Sequence, residues 1–73
     1  MTKVFSGTIR VNGRDEELAA GTVAALLAGL GIVPGTPGVA VALNGAVVPS
    51  RRWEQTPLAA GDALEIIRPV QGG

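Results

Sequence analysis

Two Asn-Gly dipeptides, Asn12-Gly13 and Asn44-Gly45, constrain this chain more than any other feature. A type I′ turn needs positive φ at both central residues, and its twist matches that of two paired antiparallel strands. Each dipeptide here is flanked by strand-like alternation. Before the first, Phe5, Gly7, Ile9 and Val11 alternate with Ser6, Thr8 and Arg10, and the returning strand is Arg14 to Leu18. Before the second, Val39, Val41 and Leu43 alternate with Ala40 and Ala42, and the return runs through Ala46, Val47 and Val48 to Pro49. The sequence therefore predicts two hairpins. Pairing Val11 with Arg14 puts Glu16 on the core side, so Glu16 is expected at the sheet margin, or a bulge shifts the register.

A helix is predicted between the hairpins. Ala20-Gly21-Thr22 breaks the strand, and Thr22 suits an N-cap because its hydroxyl can accept an orphan backbone N–H. Val23, Leu26, Leu27 and Leu30 follow at i, i+3, i+4 and i+7 and form one apolar face. Gly31 is placed to end the helix in a left-handed conformation. The opposite face, Ala24, Ala25 and Ala28, carries no charge. Residues 33–38 hold two prolines and two glycines and read as a loop. Ser50 to Pro57 reads as a short turn or a single helical turn, and Ala63 to Arg68 as a last strand ended by Pro69.

The order is β-β-α-β-β-β, one helical face buried on one sheet face, which is a two-layer α+β domain. The 73 residues make a single domain, 1–73, with 69–73 expected as a flexible tail. A chain this short buries only about 60% of the surface its unfolded form exposes. Phe5 and Trp53 are its only aromatics, so Val, Leu, Ile and Ala must build the core.

Composition removes most chemistries. Six basic and six acidic residues cancel, and no basic stripe offers a path for a nucleic-acid backbone. With no cysteine there is no disulfide or thiolate site, and with no histidine the commonest general base and zinc ligand are missing. Ser6 and Ser50 therefore lack a histidine to activate them. Asp15, Glu16 and Glu17 are adjacent on a strand, so their carboxylates point to alternate faces and do not converge on a metal. No apolar run is long enough to cross a bilayer and no signal-peptide pattern opens the chain, so a cytoplasmic protein is expected.

Two places remain. On the face of the sheet away from the helix, alternation and hairpin pairing bring together Ala40, Ala42, Val47 and Ile67. Such an apolar patch suits a protein partner. The other place is the end, Val70-Gln71-Gly72-Gly73. Two glycines can thread a narrow channel and let another backbone approach closely. A carboxylate on Gly73 becomes a reactive acyl donor once it is coupled to AMP, and this chemistry needs no side chain from the carrier. Trp53 reads as a plug for one open end of the core; the other reading, with Arg51 and Arg52 beside it, is a partner anchor.

Val11-Asn12-Gly13, Ala20-Gly21-Thr22, Val41-Ala42-Leu43-Asn44-Gly45, Val47-Val48-Pro49, Arg51-Arg52-Trp53, Gly61-Asp62, Leu64-Glu65-Ile66 and Val70-Gln71-Gly72-Gly73 run through nearly the whole chain. Together these segments resemble the ThiS family, small ubiquitin-like sulfur carriers of thiamine biosynthesis. The resemblance implies a β-grasp fold whose first and last strands lie parallel at the centre of a mixed sheet of about five strands. It implies a carrier, monomeric on its own, that is not an enzyme and binds no cofactor itself. A ThiF-like adenylyltransferase would use ATP and magnesium to adenylate Gly73. A persulfide enzyme would supply sulfur for a thiocarboxylate, and a ThiG-like thiazole synthase would accept it. Only Gly72 and Gly73 carry over as functional residues. Arg68-Pro69-Val70 departs from that pattern and is similar to the small subunit of molybdopterin synthase, which uses the same carboxylate chemistry. A β-grasp module that only docks, and a ubiquitin-like modifier joined to target lysines, are the remaining alternatives.

Overall fold

A computed structural model describes residues 7–68. Two strands, β1 (Thr8–Val11) and β2 (Arg14–Glu17), precede the helix α1 (Val23–Ala28). After it come β3 (Ala40–Leu43), β4 (Ala46–Val47), a 3-10 helix (Ser50–Gln55) and β5 (Ala63–Ile67). The strands lie in the order β2-β1-β5-β3-β4. β1 and β5 run parallel at the centre, and every other neighbouring pair is antiparallel. The last strand thus enters between the two hairpins, as the family resemblance implies.

Both turns are built as the dipeptides predict. φ is +51° at Asn12 and +81° at Gly13, and +52° at Asn44 and +85° at Gly45. The first hairpin pairs Val11 with Arg14 and Ile9 with Glu16, with no bulge. Glu16 is exposed because β2 is an edge strand, so the margin placement holds. All four residues of β2 are exposed, and three are acidic. Charge on an edge discourages pairing with another chain.

The core joins the inner sheet face to the helix. Ile9, Val11, Val41, Leu64 and Ile66 pack with Val23, Leu27, Leu18, Ile32, Trp53 and Leu58. Val39 and Leu43 lie partly buried against them. The Thr22 hydroxyl accepts the Ala25 N–H at 3.1 Å, so Thr22 is the N-cap. The helix start is tied down from outside as well: the Val23 N–H donates to Thr56 O and the Leu58 N–H to Gly21 O.

The other end corrects the sequence reading. Regular helix stops at Ala28, and Leu30, expected on the buried face, is half exposed. Gly31 has φ +80°, its N–H donates to Ala28 O, and the Ile32 N–H donates to Leu27 O at 2.9 Å. This Schellman pattern turns the chain at Gly31 and brings Ile32, rather than Leu30, over Leu27. Ala24 likewise packs on the core, so the open helix face carries Ala25 and Ala28.

Trp53 fills the core end below the second hairpin. It is 1% exposed, and its Nε1–H donates to Val48 O at 2.9 Å. Arg51 and Arg52 stay exposed. The plug reading is the one the structure bears out.

Candidate functional site

The strand β5 links the two places singled out in the sequence. Its inner residues, Leu64 and Ile66, are buried, and its outer residues, Glu65 and Ile67, are exposed. On the β3 side, Ala40 pairs with Ile67 and Ala42 with Glu65. Ala42 also pairs with Val47 on β4. The register therefore places Ala40, Ala42, Val47 and Ile67 side by side on the outer face. Val47 is 76% exposed and Ile67 66%, the two most exposed large apolar residues described. The patch is present in the geometry that hairpin pairing predicts. It is flanked on the β1–β2 side by polar residues, where the Arg10 Nε donates to Asp15 Oδ1 at 3.3 Å.

Side-chain amides hold β5 in place. Asn12 Oδ1 accepts the Ile66 N–H at 2.7 Å. At the strand's start, Asn44 Oδ1 accepts the Ala63 N–H at 2.9 Å, and Asn44 Nδ2–H donates to Asp62 Oδ1 at 3.0 Å. The other Asp62 oxygen accepts the Ala59 N–H at 2.9 Å. Each turn asparagine thus does two jobs: its backbone makes the hairpin and its side chain closes the ladder of the inserted strand. The Asn-Gly signal located the turns and could not show these bonds, which span 54 and 19 residues of chain. The last described residue, Arg68, reaches the end of the helix, its Nη2–H donating to Leu30 O at 3.4 Å.

Four of the expected site residues, Val70, Gln71, Gly72 and Gly73, lie outside the described residues. The acidic run on β2 forms no cage: Asp15 stands opposite Arg10, Glu16 opposite Ile9 and Glu17 opposite Thr8. Among the described residues no group of three or more metal-ligating side chains comes together. Nor is any helix among them long and apolar enough to cross a membrane.

The model of the ThiS family matches residues 9–73. The chain belongs to the ThiS family. A crystal structure of the thiamine biosynthesis protein ThiS from Geobacter metallireducens is 30% identical to this chain, with a TM-score of 0.69. The match covers 90% of this chain and 99% of that one. Comparison with curated proteins finds no match. The ThiS-family fold is the ubiquitin-like β-grasp, and the mixed five-stranded sheet with one α-helix described above is an instance of it.

Proposed function

We propose that this member of the ThiS family carries sulfur as a thiocarboxylate on Gly73 and delivers it for thiazole formation in thiamine biosynthesis. The observation that carries the reading is the reach of the family match, which runs from β1 through Gly72-Gly73. A carboxylate oxygen of Gly73 attacks the α-phosphorus of ATP, and pyrophosphate leaves with magnesium. The terminal sulfur of a persulfide attacks the acyl carbon, and AMP leaves. A thiol cleaves the resulting acyl disulfide, releasing the thiocarboxylate and a new disulfide. ATP, magnesium, persulfide and thiol belong to the partners: a ThiF-like adenylyltransferase, a sulfur-donor enzyme and a ThiG-like thiazole synthase. The carrier acts as their co-substrate, in the cytoplasm.

The outer patch of Ala40, Ala42, Val47 and Ile67 is where the activating enzyme holds the carrier, with Val70 and Gln71 entering its channel ahead of the glycines. Ile67 ends β5, and six peptide steps lead from it to Gly73. Those steps span at most about 20 Å, so an enzyme seated on the patch has the carboxylate within reach of its nucleotide site. The rigid body supplies the grip and the tail supplies the reactive group.

The test is incubation of the chain with a ThiF-type enzyme, ATP and magnesium, followed by intact-protein mass spectrometry. The expected product is heavier by one adenylyl group, and the variant lacking Gly73 is expected to form none. A variant lacking Gly73 that gains the adduct overturns the assignment. The molybdopterin-synthase reading has Pro69 on its side. It predicts rescue of a strain lacking that small subunit, whereas the thiamine reading predicts rescue of a strain lacking its ThiS. A docking-only module forms no adduct, and a modifier forms isopeptide links to lysines.

A further inference from the structure

One charged group stands inside the apolar patch. Glu65 lies between Ala63 and Ile67 along β5 and opposite Ala42 on β3. It is exposed, and among the described residues its carboxylate makes no ion pair and no hydrogen bond. The outer-face cation of the adjoining strand, Arg10, is engaged by Asp15. The alanines around Glu65 form a low floor, so a partner that covers the patch strips water from the carboxylate. Burying an unpaired carboxylate is strongly unfavourable and opposes the gain from covering the apolar residues.

We infer that Glu65 selects the partner: the surface that docks on this sheet face is apolar and carries an arginine or lysine that pairs with Glu65. This rests on the reading above that the activating enzyme grips the outer face, and it adds the chemistry of the grip. Charge complementarity argues against a second copy of the chain as the occupant. A symmetric stack of two patches buries two Glu65 carboxylates and supplies no free cation from within the patch. The same charge keeps the naked face from self-association while the carrier is unbound. Position on β5 argues for the activating enzyme, since the strand that presents Glu65 is also the one leading to Gly73.

The test uses the full chain with Glu65→Gln and Glu65→Lys, and Val47→Asp as the control for the face. The probe is the ThiF-type enzyme that adenylates the wild-type carrier. Circular dichroism is expected to show unchanged folding in both Glu65 variants. The affinity of Glu65→Gln for the enzyme is expected to fall at least about 30-fold, and that of Glu65→Lys further, as for one partner removed from a buried charge pair. Wild-type affinity should weaken with added salt, and the Glu65→Gln affinity should weaken less. Wild-type affinity and salt dependence in both Glu65 variants, with Val47→Asp impaired, overturn the inference and leave the docking face standing. Wild-type behaviour in all three overturns both. Failure of wild-type carrier to be adenylated overturns the inference together with the carrier reading. A wild-type dimer in sedimentation that Val47→Asp dissociates names a second copy as the occupant and also overturns it.

Discussion

Replacing Trp53 separates a core residue from a partner anchor. The indole is 1% exposed and donates to Val48 O at 2.9 Å. Trp53→Ala removes the largest fully buried side chain of the domain. Truncating a buried tryptophan costs about 3–5 kcal/mol through lost transfer energy and the cavity left behind. Loss of the hydrogen bond adds about 1 kcal/mol, because Val48 O is half-buried and loses its donor. A chain of 73 residues has a total stability of about 4–11 kcal/mol, so the variant is expected to lose a large part of it or to unfold. Trp53→Phe keeps a ring in the site and is expected to lose about 1–2 kcal/mol, mostly from the bond. The assay is urea unfolding followed by far-ultraviolet circular dichroism, since fluorescence disappears with the only tryptophan. With a slope of about 1 kcal/mol per molar urea, Trp53→Phe should move the midpoint down by about 1–2 M. A loss below about 1 kcal/mol for Trp53→Ala refutes the packing argument. Normal stability with impaired binding of the activating enzyme would make Trp53 a partner anchor instead.

Three further outcomes follow from the same geometry. Val47→Asp changes a residue 76% exposed on a short edge strand, so folding stability should move by no more than about 1 kcal/mol, read by thermal unfolding. Adenylation by the activating enzyme should meanwhile weaken by about 100-fold or more, because an unpaired carboxylate enters the interface. Asn12→Ala leaves the Ile66 N–H without its acceptor and exchanges asparagine, which tolerates the left-handed conformation, for alanine at φ +51°, so it should cost about 1–3 kcal/mol in urea unfolding. Gly7→Ala should be at least as harmful on the same assay: φ is +112°, and an added Cβ would lie 2.5 Å from the Ala60 Cβ. An unchanged midpoint in either variant contradicts the close approach of β1 to its neighbours.

What the sequence made legible is local. Positive φ at Asn12-Gly13 and Asn44-Gly45 follows from residue type, and once the hairpins are set, period-two alternation places Val47 beside Ala42. The same alternation put Val41, Leu64 and Ile66 inside. Leu30 departs from the helical spacing because the 3.6-residue period does not hold beyond Ala28, where regular helix ends. Gly31 ends the helix as its residue type predicts, but the swing of Ile32 back over Leu27 is a consequence of its left-handed conformation, which residue spacing does not encode. The side-chain bonds of Asn12 and Asn44 to β5 join distant parts of the chain and have no local signature. Glu65 is exposed between the buried Leu64 and Ile66. Its neighbours, not its identity, make it informative, and they come from the register of β3 against β5.

The central claim is that Gly73 carries the sulfur. The direct measurement is intact-protein and fragment mass spectrometry of the carrier after reaction with the activating enzyme, ATP, magnesium and a persulfide donor. The account predicts a product in which one oxygen is replaced by one sulfur, with the change confined to the C-terminal fragment containing Gly73 and absent when Gly73 is deleted. Sulfur found elsewhere on the chain, or an adenylated Gly73 that never exchanges oxygen for sulfur, would contradict it.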